Sequence, residues 1–201
     1  MIHCDIVKRR KGLLILVRNG TRYKRGNGSY PMSRNKFILS TVEDINEIFS
    51  IYESASKLQR EKGQEAWKGF ERSLVIKEIE EGRLWKIMAD NQMAGVFSLN
   101  LHKENIWANH QPEFVFYIHR IAKRSGTKIK LLDEILPWAK NFASSKGLKY
   151  LRLDTFGNNK ELVGHYMRSG FRLKEVIRTD NDHNLPLHYQ NASLALLELE
   201  L

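Results

Sequence analysis

Residues 84–101 read LWKIMADNQMAGVFSLNL, two β-rich apolar runs joined by a short Asp/Asn turn. Such a pair closes into an antiparallel hairpin, because Asp and Asn tolerate tight-turn backbone and the flanking residues suit a pleated surface. A hairpin buried on its apolar side needs further strands beside it and helices across its face. "EFVFYIHRIA" at 113–122 reads as a longer apolar strand. From about Gly126 to Ser145 the spacing predicts a helix with Ile129, Leu132, Ile135, Leu136, Ala139 and Phe142 facing inward, kinked at Pro137. "YLRLDTF" at 150–156 is the next strand. Hairpins combined with a strand–helix–strand crossover imply one sheet with helices on both faces, an α/β or α+β mixed architecture.

The flanking segments fit the same plan. "KFILS" at 36–40 reads as a short strand, and Thr41 with Asp44 is a plausible cap for a helix carrying Ile45, Ile48, Phe49 and Tyr52 on one face. A second helix is expected from about Gln64 to Glu81, ended by Gly82. In "FGNNKELVGHYMRSGFRL", residues 156–173, Leu162, Val163, Tyr166 and Met167 recur at helical spacing and predict one buried stripe. Gly170 is placed for a left-handed C-terminal cap, with Phe171 opening the following strand. Final strands are expected near 171–178 and 192–200. There is no internal repeat and no low-complexity segment.

A chain of 201 residues with 42% hydrophobic and 28% charged residues suits one globular domain. The apolar run "GLLILV" at 12–17 is far short of the roughly 20 residues a membrane helix needs, so no membrane partner is expected. Cys4 is the sole cysteine, which excludes an internal disulfide and a cysteine-rich zinc site and makes a reducing cytoplasm the expected location. The net charge of +10 is concentrated: residues 1–31 carry eight basic side chains against Asp5 alone, +7 in all, leaving +3 for the other 170 residues. The domain is therefore assigned to 35–201 and residues 1–34 to a basic extension, disordered or non-native, since Met32 can itself be a start codon. A nearly balanced body without a nucleic-acid motif disfavours a nucleic-acid partner.

The order of elements, with two specific segments, resembles the GNAT superfamily of N-acetyltransferases. One segment is "YIHRIAKRSGTKIKLLDEILPWAK", similar to that family's strand, glycine-containing loop and helix whose start receives the pyrophosphate of acetyl-CoA. The other is the 150–173 stretch, similar to the family's strand, Asn-containing turn and helix ending Tyr-x-x-x-Gly-Phe. The resemblance spans roughly 36–201 and implies a GNAT-like fold with a mostly antiparallel central sheet. It implies a direct acetyl transfer from acetyl-CoA as cosubstrate to a primary amine of a small molecule or peptide, with no metal, and leaves a homodimer open. Two departures are visible: the loop after "RIA" is shortened, and Lys128 stands where a second glycine or alanine is usual.

The chemistry of the residues stands beside the resemblance. A helix start offers about four unpaired N–H groups and partial positive charge, which suit phosphate oxygens. Lys123, Arg124, Ser125, Gly126, Thr127 and Lys128 are the candidate diphosphate loop, and the backbone of Ile121 and Ala122 is the candidate oxyanion site. Tyr166 is the candidate general acid, since a phenol can stabilise or protonate a thiolate, and the resemblance places a tyrosine there; as an interior aromatic it is equally ordinary. Asn159, by resemblance, contacts the pantetheine arm, with Asn158 its competitor and helix capping the plainer role for either. Glu113 and His119 are candidate bases, six residues apart and so on one face of an ideal strand, with Arg120 on the other; His119 also reads as a core histidine. Acceptor recognition is expected from Tyr52, Gln59, Trp67, Trp85 and the loop "TDNDHNLPLHYQ". That loop's His183, His188, Asp180 and Asp182 have no fixed geometry to argue for a metal. Two other classes remain: a non-catalytic domain of the same fold that binds CoA or a peptide, and a nucleic-acid-binding protein using the basic arm.

Overall fold

A computed structural model describes residues 35–110, 113–181, 185 and 189–201. The basic extension at 1–34, and His183, His188 and Asp182, lie outside the described residues. Among the described residues seven strands form one sheet in the order β1-β2-β3-β4-β5-β7-β6: β1 Lys36–Leu39, β2 Leu84–Ala89, β3 Gln92–Asn100, β4 Val115–Lys123, β5 Tyr150–Phe156, β6 Arg172–Arg178 and β7 Ser193–Glu200. Every neighbouring pair is antiparallel except β4 with β5, which are parallel. The hairpin forms as expected, its turn residues Asp90 and Asn91 at φ +48° and +62°. Positive φ at both central positions matches the right-handed twist of the strands they join.

Among the described residues four α-helices cover the sheet: α1 Ile45–Glu61, α2 Arg72–Glu80, α3 Leu131–Lys146 and α4 Lys160–Arg168. One buried cluster joins Ile48, Ile51 and Tyr52 of α1 and Val75 and Ile79 of α2 to Leu84 and Val96 of the sheet. Another joins Leu132, Ile135 and Ala139 of α3 and Tyr166 of α4 to Phe97, Phe116, Ile118 and Leu151. The central strands thus bury side chains in two cores, which is what their nearly continuous apolar sequences require. Thr41 and Asp44 close a capping box around a single 3-10 turn before α1.

Three expectations about elements need correction. The second helix starts at Arg72, not near Gln64. Gly69, at φ +102°, interrupts it, and Trp67 and Phe70 instead fold onto the Tyr52 ring from irregular backbone. Helix α3 starts at Leu131, five residues after Gly126. Of the expected stripe on α4, Tyr166 is buried but Met167 is 49% exposed. The end of α4 follows its sequence closely: Phe171 N–H donates to the Tyr166 carbonyl at 3.2 Å and Gly170 N–H to Met167 at 3.0 Å. With Gly170 at φ +101°, these two bonds make a Schellman cap.

Candidate active site

The site exists because β4 and β5 separate. They pair only over Val115–Tyr117 against Tyr150–Arg152. Beyond that, each continues with a partner on its outer side only, β3 for β4 and β7 for β5. Among the described residues, the facing edges therefore keep backbone donors and acceptors with no strand partner. A bulge in β4 accompanies the separation. Ser98 faces His119 while Val96 faces Ala122, so two residues of β4, Arg120 and Ile121, oppose Phe97 alone. Arg120 sits at φ +50°. An extra residue bends its strand and re-aims the side chains around it.

The gap opens a cleft of about 640 Å³. Its walls come from the second half of α1, β4 from Ile118, β5 from Leu153, Leu162 and Tyr166 of α4, and Tyr189 from the loop before β7. Ile121, Lys123, Arg124, Ser125, Gly126 and Thr127 line it; Ala122 is buried beneath. Gln59 and Trp67 reach the cleft as well, whereas Trp85 packs against Trp138 of α3 with ring centroids 5.0 Å apart.

At the bulge, four residues distant in sequence meet. His119 Nε2 lies 2.7 Å from Glu104 Oε1, and its Nδ1 lies 3.2 Å from Asp154 Oδ1. The Tyr189 hydroxyl is 3.5 Å from the same Nδ1. Burial alone would push the His119 pKa down, but the Glu104 charge and hydrogen bonds to Asp154 and Glu104 outweigh it and lift the value to about 10. The ring is thus an imidazolium at neutral pH, hydrogen-bonded to Glu104 through Nε2 and ion-paired with Asp154 beside Nδ1. Ligand atoms of Glu104, His119 and Asp154 lie within 4.8 Å of one another, a spacing a cation could use. The carboxylates, however, sit on opposite nitrogens of one ring, so an ion would have to displace one of them.

Arg120 does not turn to the opposite face of β4, as simple alternation predicts. Because of the bulge it lines the same cleft as His119. Its guanidinium pairs with the buried carboxylate of Glu78 on α2, which also accepts from Ser98 at 3.1 Å and from Arg83 at 3.0 Å. Tyr166, 9% exposed, lines the cleft, and burial with the Asp154 charge holds its phenol well above the usual range. It therefore keeps its proton throughout the neutral range and can serve as a general acid, not as a phenolate base.

The remaining candidates fall elsewhere. Glu113 is exposed in the bend before β4, which starts at Val115; with Phe114 at φ +66° between them strand alternation does not relate it to His119, and it does not line the cleft. Lys128 is exposed and is not part of the cleft lining, and the Arg124 guanidinium is engaged by Glu47 of α1 and the Met93 carbonyl. Asn159 is buried as the cap of α4: its oxygen accepts from Leu162 N–H at 3.0 Å and its amide donates to Gln64 at 3.0 Å. Asn158 donates to Glu65 at 2.9 Å. What favours an anion near 124–131 is backbone. Gly126 is at φ +79° with nothing within 4 Å of where a Cβ would stand. Lys130 supplies no side-chain cap to α3. Asp133 and Glu134 in the first turn already complement that helix dipole, which limits what its start alone can bind.

Sequence patterns do not single out Glu104 or Asp154, nor do they bring Arg120 and Tyr189 to this cluster. Asp154 carries one signal, a lone acid inside the apolar strand "YLRLDTF", and Tyr189 lies in the loop expected to recognise the acceptor; Glu104 carries none.

No family model matches the sequence, and no curated protein matches it. Solved structures do. A GNAT-family acetyltransferase from Listeria monocytogenes superposes with a TM-score of 0.63 at 18% identity, over 83% of this chain and 95% of that one. A GNAT-family acetyltransferase from Streptococcus agalactiae gives 0.66 at 16% identity over 83% and 95%. The ribosomal-protein-S18-alanine N-acetyltransferase from Escherichia coli gives 0.57 at 13% identity over 83% and 93%. The chain has the GNAT acetyltransferase fold, as the resemblance implied.

Proposed function

We propose that this protein is an acetyl-CoA-dependent N-acetyltransferase that transfers an acetyl group directly to a primary amine of a small molecule or peptide. One observation carries the reading: the unpaired edges of β4 and β5 flank a cleft that runs from the Gly126 loop to the Tyr166 phenol. An extended amide-bearing chain can add to such edges as a further strand would. The open backbone at Gly126 and the uncapped start of α3 suit a diphosphate at one end, aided by Lys123. Backbone N–H groups of β4 around Ile121 and Ala122 supply donors for a developing oxyanion.

Acetyl-CoA would supply a thioester carbonyl within this cleft. The acceptor nitrogen forms the new N–C bond as the C–S bond breaks, and Tyr166 gives its hydroxyl proton to the departing sulfur. An ammonium acceptor releases two protons overall: one restores Tyr166, and the other leaves through the Glu104 and Asp154 carboxylates. His119, already protonated, cannot take a proton from the amine. It serves as a positioning residue that holds the two carboxylates on either side of the strand bulge. Glu113 has no part in this scheme.

The first test is thermal unfolding of the full chain with acetyl-CoA, followed by transfer assays with amines. At a hundredfold excess over its dissociation constant the ligand stabilises by about 2.7 kcal/mol, which raises the melting temperature by several degrees. No shift at millimolar acetyl-CoA defeats the reading. A shift without transfer to any amine or peptide supports instead a CoA-binding domain that does not turn over. Among the described residues no helix is long and apolar enough to cross a membrane.

A further inference from the structure

A second cavity, about 320 Å³, shares His119, Arg120 and Tyr189 with the cleft. Its size is at the lower end of the roughly 300–1,000 Å³ that ligand sites span, which points to a small occupant. Its lining carries both signs of charge on separate groups. On one side Glu104 and, behind His119, Asp154 set two carboxylates against one imidazolium. On the other, Arg83 and Arg120 set two guanidiniums against the single carboxylate of Glu78, with exposed Lys103 at the rim. Glu81, outside the cavity, takes the other edge of Arg83, so Arg120 is the guanidinium left for a ligand. The Arg120 side chain is 9% exposed, and its buried Nε has no hydrogen-bond partner among the described residues. A buried guanidinium N–H without an acceptor is a donor that a ligand oxygen would satisfy.

The β4 bulge brings these charges together. Consecutive residues of a regular strand point to opposite faces, yet His119 and Arg120 both line this cavity. An ammonium beside Glu104 and an anionic oxygen on Arg120 would thus sit on one small molecule. Leu74, Ile106 and Leu185 supply an apolar part of the lining, beside the amides of Asn100 and Asn105 and the Tyr189 ring.

We infer that the second cavity holds the acceptor and that the acceptor is a zwitterionic α-amino acid with an apolar side chain. Its ammonium faces Glu104 and its carboxylate faces Arg120 and Lys103. The inference rests on the acetyltransferase reading and narrows it. In the transfer, Glu104 takes one proton from the ammonium to free the nitrogen lone pair, the N–C bond forms, and the C–S electrons leave with sulfur, which takes the Tyr166 proton. The second nitrogen proton then restores Tyr166.

The test compares three acceptors of similar apolar bulk with acetyl-CoA and the full chain: L-leucine, L-leucinamide and 3-methylbutylamine. Free thiol release and the acetylated product are both measured. The expected result is a kcat/KM for leucine at least tenfold above either of the others, which lack the carboxylate. Lys103→Gln should raise KM for leucine several-fold and narrow its advantage over leucinamide, and because Lys103 is exposed the variant folds. Arg120→Lys should lower the leucine preference further. Leucinamide or the simple amine equalling leucine would overturn this inference, as would failure to acetylate any of the three while acetyl-CoA still stabilises the protein. Absence of that stabilisation would defeat the acetyltransferase reading itself, and this inference with it.

Discussion

The His119 imidazolium makes stability depend on pH in a direction that can be worked out. Its folded pKa, raised to about 10, lies above the value of about 6.5 for an unperturbed histidine. A group with a raised folded pKa stabilises fully below its unfolded pKa and loses that contribution as pH rises toward the folded one. Between about pH 7 and 9 the folded ring holds a proton that the unfolded ring has shed, so stability falls by somewhat under 1.4 kcal/mol per pH unit. The loss from this one residue is on the order of 2–3 kcal/mol across that window, or several degrees in melting temperature for a chain of this size. Urea unfolding of the wild type and of His119→Gln at pH 7, 8 and 9 isolates the effect, since titration of other groups is common to both. The gap between them should narrow as pH rises. A gap that stays constant, or a histidine resonance titrating near 6.5 in the folded protein, would refute the charge assignment and with it the positioning role.

Tyr166→Phe keeps the ring contact with Phe171, whose centroid is 5.7 Å away, and removes the hydroxyl. Turnover should fall by about a hundredfold or more, as expected for losing a general acid, while the acetyl-CoA thermal shift persists; unchanged turnover would make the phenol a core residue only. Gly95→Ala places a Cβ 2.6 Å from Leu131 Cδ1 and 2.8 Å from the Ala122 carbonyl. The overpacking should cost about 1–3 kcal/mol in chemical denaturation, and because it presses on the start of α3 it should also weaken acetyl-CoA binding. Asn159→Ala removes the cap of α4 and should cost about 1 kcal/mol, read in the same denaturation experiment.

Much of the scaffold was written in short-range chemistry. The Asp90–Asn91 hairpin turn, the Thr41–Asp44 capping box and the Gly170 Schellman cap all depend on residues within a few positions of one another, so their sequence patterns suffice. Apolar periodicity likewise showed a mixed sheet covered on both faces. Where short-range rules failed, a single backbone angle was responsible: Gly69 at positive φ shortened α2, and the Gly126 loop delayed α3 to Leu131. The site itself depends on pairing. Only the tertiary structure decided that β4 and β5 part after three pairs and that β4 carries an extra residue opposite Phe97. That bulge turns Arg120 toward His119 against the alternation its sequence implies. It gathers Glu104, His119, Asp154 and Tyr189 from a loop, two strands and another loop. A strand's register is fixed by all its neighbours at once, and electrostatic partners across such distances leave no local trace in the chain. Residue types near the site were therefore legible beforehand, while their charge states and facing directions were not.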